Sequence, residues 1–483
     1  MRLKSAYIRE QQRYTQKQLC EIIGYPEEKS LSVIRRLKEF GILKAVRATD
    51  FQRDLSDLSD EDVEITEVAI GEDDFLYVFT FVGIIVVAGL VLKCYPKYIR
   101  CNNQPKDELV LIMKVLEKYN SKEQIIRLFN DSSEGKTFNL LAVMLFLLQD
   151  YFENGPYTTT EDVVETNGSG EILWDKTINE TFSMISNNRP YYIDLQTKRR
   201  ITNDYDYIKR LHECILTLIS EEMKSADLLT LFSISGVDLS DERLDDFGDN
   251  EYILYRIENE LNVQFNTRRQ LVLKTLYAYI SHNGSLYDSD CMSLFGTNSF
   301  NLVWEDICAE ILDNQLQNKL KTLSLPVPLE KGYDAEITLL DLIECPQWTV
   351  TGKTAADTLI PDLITISKKD GVFFFMIFDA KYYCAQLDEG KPPKGQPGIE
   401  SVTKQYLYQL AYQKFITDHK ITHVKNCFLM PTDDEAVVDK GEVCMEMLSN
   451  LGLQNIAVRL LPVRIAYETY LSGCHLDIDI LGL

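Results

Sequence analysis

Ile360-Pro-Asp-Leu-Ile-Thr-Ile-Ser-Lys-Lys-Asp-Gly-Val-Phe-Phe-Phe-Met-Ile-Phe-Asp-Ala-Lys-Tyr-Tyr383 contains two β-rich runs around Asp370-Gly371. That dipeptide favours a two-residue type I′ hairpin turn, in which both central residues need positive φ. Such a turn sets Asp362 directly opposite Asp379, the only carboxylates in the two strands. Opposed side chains on an antiparallel pair lie about 4.5–5.5 Å apart at Cβ, so two aspartates there repel unless something positive lies between them. A divalent cation is the obvious candidate. Lys381 is two residues beyond Asp379, and strand alternation puts its amine on the same face. A loop longer by one residue, or a bulge, spoils this register, and an ordinary hairpin with an exposed ion pair is the competing reading. Val372–Phe378 is too apolar for a solvated edge strand and reads as a buried central one.

The 483 residues suggest about three domains and a multidomain α/β protein. Eleven cysteines without a CxxC pair argue for free thiols rather than disulfides or zinc. The first ten residues lack the apolar core of a signal peptide, so a cytoplasmic protein is expected. The net charge of −24 speaks against a chain that coats nucleic acid through global attraction, but not against a DNA enzyme with local basic groups. Much of the acid lies in Asp54–Asp74, a solvated linker by composition, whereas basic clusters sit at Lys29–Arg47 and Lys198–Arg210.

Residues 1–53 read as a winged-helix-like module. Thr15 caps one helix, Gly24-Tyr25-Pro26 turns the chain, Ser30 caps a second helix to Phe40, and Gly41–Val46 starts a wing. The second helix presents Arg35, Arg36 and Lys38 as candidate DNA contacts; a helical hairpin that packs on its neighbour or binds protein fits equally well. Residues 54–104 form the acidic linker and a β-rich module. In it, Phe75–Leu92 is free of charge but rich in Val, Ile and Phe and broken by glycine, which favours two buried strands bending at Gly83 over a membrane span. Residues 105–293 show helical periodicity at Asp107–Phe129, Thr137–Phe152, Tyr205–Lys224, Asp227–Ile234 and Glu251–Ser281, and read as an α-helical scaffold for a partner. Residues 294–483 form an α/β/α domain with helices at Phe300–Leu320 and Ser401–Thr417 and strands at Ala335–Leu342, the hairpin, Val424–Met430 and Ile456–Ile465. His419 and His423 have no third ligand nearby and read as surface histidines.

A sheet carrying two opposed aspartates and a lysine suits metal-dependent phosphodiester hydrolysis. Mg²⁺ takes oxygen ligands and binds through one or two carboxylates plus substrate phosphate. Asp362 and Asp379 would supply the carboxylates and the Ala380 carbonyl a third ligand, with Lys381 holding water and stabilising developing charge. Pro361-Asp362, 16 intervening residues and Asp379-Ala380-Lys381 resemble the PD-(D/E)xK nuclease motif. The resemblance implies a Gln and a Tyr on the following helix, matched by Tyr408-Gln409-Leu410-Ala411-Tyr412, with Gln405, Gln409 and Tyr412 on one face, and an acidic residue on the first core helix, matched by Glu305, for which an exposed helix charge is the competing reading.

Over residues 75–483 the runs Gly168-Ser-Gly-Glu-Ile-Leu-Trp-Asp-Lys-Thr-Ile178, Leu211-His212-Glu213-Cys214, Val303-Trp304-Glu305 and Asp379-Ala-Lys-Tyr-Tyr383 resemble the LlaJI family of restriction endonucleases, similar in turn to the McrC nuclease subunit of McrBC systems. The resemblance implies Asp362, Asp379, Lys381, Gln409 and Glu305 as catalytic residues, Mg²⁺ as cofactor, double-stranded DNA as substrate and an AAA+ GTPase of McrB type as partner. The sequence has no GxxxxGK[ST] loop, so nucleotide hydrolysis falls to another chain. Two alternatives stand beside this reading: a non-catalytic DNA-binding or adaptor subunit, and a stand-alone DNA-repair nuclease.

Overall fold

A computed structural model of the chain describes residues 3–47, 75–100, 102–120, 139–158, 160–202, 206–282, 284–287, 292–350, 352–385, 390 and 395–483. The protein is a mixed α/β chain divided into two units, one of residues 1–4, 86–89 and 130–294 and the other of residues 5–85, 90–129 and 295–483.

The larger unit begins with strands β1 (Lys4–Arg9) and β2 (Arg13–Tyr14), followed by helices α1 (Gln16–Ile23) and α2 (Glu27–Glu39). Thr15 starts α1 through a reciprocal capping box with Gln18, and Gly24 ends it in the left-handed conformation. Ser30 is not the cap of α2. The helix starts three residues earlier, after Pro26, and Ser30 is buried with its hydroxyl donating to the Tyr25 carbonyl. Strand β3 (Leu43–Arg47) pairs with β4 (Phe75–Phe79) and, with β2, makes a three-stranded sheet beneath the two helices. The acidic stretch Asp54–Asp74 lies outside the described residues.

The apolar run is strand rather than membrane helix, but it holds three strands instead of two: β4, β5 (Val82–Val87) and β6 (Leu90–Tyr95). The break falls at Thr80-Phe81 and the hairpin turn at Ala88-Gly89, where both φ are positive. Gly83 sits inside β5 for another reason. A Cβ there would lie 2.1 Å from the Phe295 carbonyl oxygen, so the backbones of β5 and a later strand meet without room for a side chain. Helix α3 (Lys106–Asn120) follows; the rest of the expected helix to Phe129 lies outside the described residues. No helix among the described residues is long and apolar enough to cross a membrane.

In the smaller unit, α4 (Leu140–Asn154) is apolar nearly all round and forms the core with the later helices. The segment after it departs from an all-helical scaffold. Strands β7 (Thr160–Thr166), β8 (Glu171–Ile172) and β11 (Gln196–Thr202) form a sheet in the order β7-β11-β8, with helix α5 (Trp174–Glu180) and the hairpin β9 (Ser183–Ser186) and β10 (Arg189–Tyr192) between them. Helices α6 (Tyr207–Ser225), α7 (Leu228–Leu231), α8 (Asn250–Val263) and α9 (Thr267–Ser281) complete the unit. The long helix expected over Glu251–Ser281 is two, because Asn266 caps a new one.

The larger unit resumes with β12 (Met292–Thr297), which closes the sheet ordered β1-β6-β5-β12, and α10 (Phe300–Ile311). Helix α10 stops nine residues short of Leu320, and Ala335–Leu342 is no strand: a 3-10 turn at Leu340–Leu342 and a single bridge from Lys319 to Thr338 stand there. A short hairpin, β13 (Gln347–Trp348) and β14 (Lys353–Thr354), precedes strands β15 (Leu363–Lys369) and β16 (Val372–Ala380). Then come α11 (Ile399–Asp418), β17 (His423–Thr432), β18 (Val438–Val443), α12 (Glu446–Ser449), β19 (Ile456–Pro462) and α13 (Val463–Ser472). The five strands run in the order β15-β16-β17-β19-β18, with β16-β17-β19 parallel. Ile364, Ile366, Phe375 and Ile377 pack with Tyr408, Tyr412 and Phe415 of α11. Thr365, of opposite parity, bonds the Leu312 carbonyl just past α10, so helices lie over both faces.

Candidate active site

The register of β15 and β16 places the aspartates. The ladder runs from Lys369↔Val372 to Leu363↔Phe378, and the turn residues Asp370 and Gly371 have φ of 49° and 84°, the double positive φ of a type I′ turn. There is no bulge. One step beyond the ladder, Asp362 and Asp379 face each other and their carboxyls hydrogen-bond. Asp362 Oδ2 also accepts the Ala380 N–H at 2.8 Å. Strand β16 is central, between antiparallel β15 and parallel β17, as its apolar run demands.

Asp379 is buried, and the Lys381 ammonium lies 2.7 Å from its Oδ1. Lys381 has left the strand, though its N–H still donates to the Leu429 carbonyl at 2.9 Å. Burial drives the Asp362 carboxyl far above the usual carboxylate range, and the hydrogen bond and charge of Asp379 push the same way against the pull of Lys381. Burial works against the charge of Lys381, but Asp379, Asp362 and Glu305 outweigh it and hold its pKa above the ordinary lysine value. Glu305, on α10, is half-buried. Burial raises its pKa, Lys381 opposes, and Asp379 adds to the rise, so the structure brings it within electrostatic reach of the pair.

The helix α11 contributes differently from its sequence pattern. Gln409 is buried with its carbonyl oxygen taken by the Asn426 side-chain amide at 2.8 Å and the Gln454 N–H at 2.9 Å, and Tyr412 donates to the Leu339 carbonyl. Gln409 serves the junction of β17 and β19 rather than the carboxylates. Tyr408, on the same helix, is within electrostatic reach of them: burial raises its hydroxyl pKa, and Asp379 and Asp362 add to the rise. Its spacing of three from Gln405 was the available signal. Gln405 donates to the Ile377 carbonyl at 2.9 Å, while its buried Oε1 has no hydrogen-bond partner among the described residues.

Two opposed carboxyls, with the Ala380 backbone next to Asp379 and bonded to Asp362, are an oxygen donor set that fits a hard divalent cation. Among the described residues no group of three or more His, Cys, Asp or Glu side chains gathers into a metal cage. His419 is buried rather than at the surface, between Phe415 and Tyr333, with Nε2 accepting from the Glu330 N–H; His423 is exposed. Far along the chain, Arg35 is exposed on α2 while Arg36 and Lys38 are half-buried.

The LlaJI restriction endonuclease family model matches residues 81–461. The type II restriction enzyme BsuMI component YdjA of Bacillus subtilis (strain 168) is 26% identical over 410 residues, 83% of this chain and 82% of its own. Among solved structures, a half-complex from a tetradecameric assembly of Thermococcus gammatolerans McrB AAA+ hexamers with bound McrC aligns over 97% of this chain and 99% of that one, at 10% identity and a TM-score of 0.39. The Thermococcus gammatolerans McrBC complex aligns over 58% of this chain and 80% of that one, with a TM-score of 0.24. The family match spans most of the chain and includes both aspartates, the lysine and the helix behind them: this protein belongs to the LlaJI restriction endonuclease family.

Proposed function

We propose that this chain is the DNA-cutting subunit of a GTP-dependent, McrBC-like restriction system and hydrolyses phosphodiester bonds in double-stranded DNA with Mg²⁺ at Asp362, Asp379 and the Ala380 carbonyl. The observation that carries the proposal is the contact of the two carboxyls across β15 and β16 with Lys381 ion-paired to one of them. When bound, Mg²⁺ offsets charge on the scissile phosphate and lowers the pKa of water. Lys381, held protonated by its acidic neighbours, donates to a phosphate oxygen or orients water; it is no general base at neutral pH. Asp379 fixes the direction of that ammonium, and Glu305 adds negative charge behind it. Residues 294–483 act in this reading as a PD-(D/E)xK nuclease domain, and residues 1–53 as a winged-helix-like DNA contact through Arg35, Arg36 and Lys38.

An AAA+ GTPase partner of McrB type fits a chain whose relative is named as one component of a restriction enzyme and whose sequence has no phosphate loop of its own. The test is cleavage of duplex DNA by the purified chain with its partner, GTP and Mg²⁺. Asp379→Ala abolishes cutting under this proposal; cutting at the wild-type rate by that variant would overturn it.

A further inference from the structure

Behind Lys381 lies a second set of polar contacts that the nuclease chemistry does not use. Residues 381–385 have no regular secondary structure, so after Ala380 the sheet no longer dictates the backbone. The Tyr382 hydroxyl instead donates to Glu10 Oε2 at 2.5 Å, and the same oxygen accepts the Lys97 N–H at 3.2 Å. Glu10 occupies the turn after β1, where its own N–H bonds the Tyr95 carbonyl. The Lys97 ammonium lies 4.5 Å above the Tyr382 ring and donates to the Gln11 side chain at 2.9 Å. Phe300 and Tyr98 close on the ring from two further directions, and Arg100 donates to the Cys384 carbonyl.

Glu10 is 4% exposed and Tyr382 7% exposed. Burying a carboxylate is costly, and an apolar side chain of similar volume is often as stable in such a place. What the carboxylate adds is a fixed direction. The lysine's amide is pinned by Leu429 on one side, and the next residue is pinned by its hydroxyl on the other. We propose that Glu10 is a positioning residue for Lys381, acting through the Tyr382 hydroxyl, so that the turn after β1 sets the aim of the lysine ammonium at the paired aspartates. The inference rests on the nuclease reading of Asp362, Asp379 and Lys381.

The test is single-turnover cleavage of duplex DNA by the full-length chain, in the assembly in which it cuts, at saturating Mg²⁺. Tyr382→Phe keeps the ring and its packing and removes only the donor. It and Glu10→Ala each slow cleavage roughly 10- to 100-fold, with the DNA concentration for half-saturation unchanged. Glu10→Gln, which keeps an acceptor, loses less, and the double variant Glu10→Ala/Tyr382→Phe is no slower than the slower single one. Wild-type rates for Tyr382→Phe, multiplied losses in the double variant, or losses that appear in half-saturation overturn the proposal. Asp379→Ala separates it from the reading beneath it: if that variant cuts, the nuclease reading falls, whereas a dead Asp379→Ala beside a full-rate Tyr382→Phe removes only the positioning role.

Discussion

If Asp362 holds Mg²⁺ as proposed, the cation competes there with a proton, and the direction of that competition follows from the raised pKa of the carboxyl. Below that pKa the carboxyl holds its proton, so Mg²⁺ must displace it. Half-saturation by Mg²⁺ in the cleavage assay therefore weakens as pH falls, by about tenfold per unit for one displaced proton. The facing of Asp362 and Asp379 was legible because a two-residue turn and strand parity are rigid rules, and counting outward from Asp370-Gly371 reaches both without tertiary information. Gln409 was not, because a helix presents several faces and only the packing of α11 on the sheet turns Tyr408, rather than Gln409, toward the carboxylates. Gly83 makes the same point about backbone: its role depends on a partner strand more than two hundred residues away. Gly83→Ala is expected to cost about 3 kcal/mol, read as a drop in the urea midpoint, since the clash is with main chain that cannot swing aside.

Helix α6 carries a titratable group in its buried face. His212 accepts the Tyr157 N–H on Nδ1 at 2.9 Å, and burial, reinforced by Arg268 and opposed by Asp150, lowers its pKa to about 4. Its folded pKa lies below the unfolded value, so the neutral ring contributes stability that is present above pH 6.5 and fades as pH falls toward 4. Between pH 7 and 5 this amounts to about 2 kcal/mol. His212→Gln is less stable at pH 7, and its deficit against the wild type in urea unfolding narrows by about that amount at pH 5. At this scale the helices were easier to read than the strands. Leu140–Asn154 and Phe300–Ile311 announce themselves by apolar periodicity, whereas Thr160–Thr166 and Gln196–Thr202 are mostly polar or charged and offer no alternation to detect. Helix ends were lost where local chemistry overrode periodicity, as at Asp313, whose left-handed φ of 53° follows the end of α10.

Over the whole molecule, a formal charge of −24 means that any hold on DNA depends on local cations. Arg35→Ala is expected to weaken duplex binding and reduce the slope of log affinity against log salt by about one, leaving the cutting rate at saturating DNA in place. The site-bearing sheet has a further property in its margins. Along β15, Gln315 N–H donates to the Ile364 carbonyl at 2.8 Å, and the Asn314 and Gln315 side chains take the Ile364 and Ile366 N–H groups. At the other margin, β18 shifts register between Asp439 and Glu442 and carries Asp439, Lys440 and Glu442. Unpaired strand edges are templates for association, and bulges, charges and covering loops are how proteins blunt them. Asn314→Ala with Gln315→Ala should leave β15 open and convert soluble protein into concentration-dependent aggregates, measured by light scattering. The asparagine and glutamine beside Asp362 thus act as gatekeepers of solubility, keeping the aspartate-bearing hairpin from recruiting a stray strand.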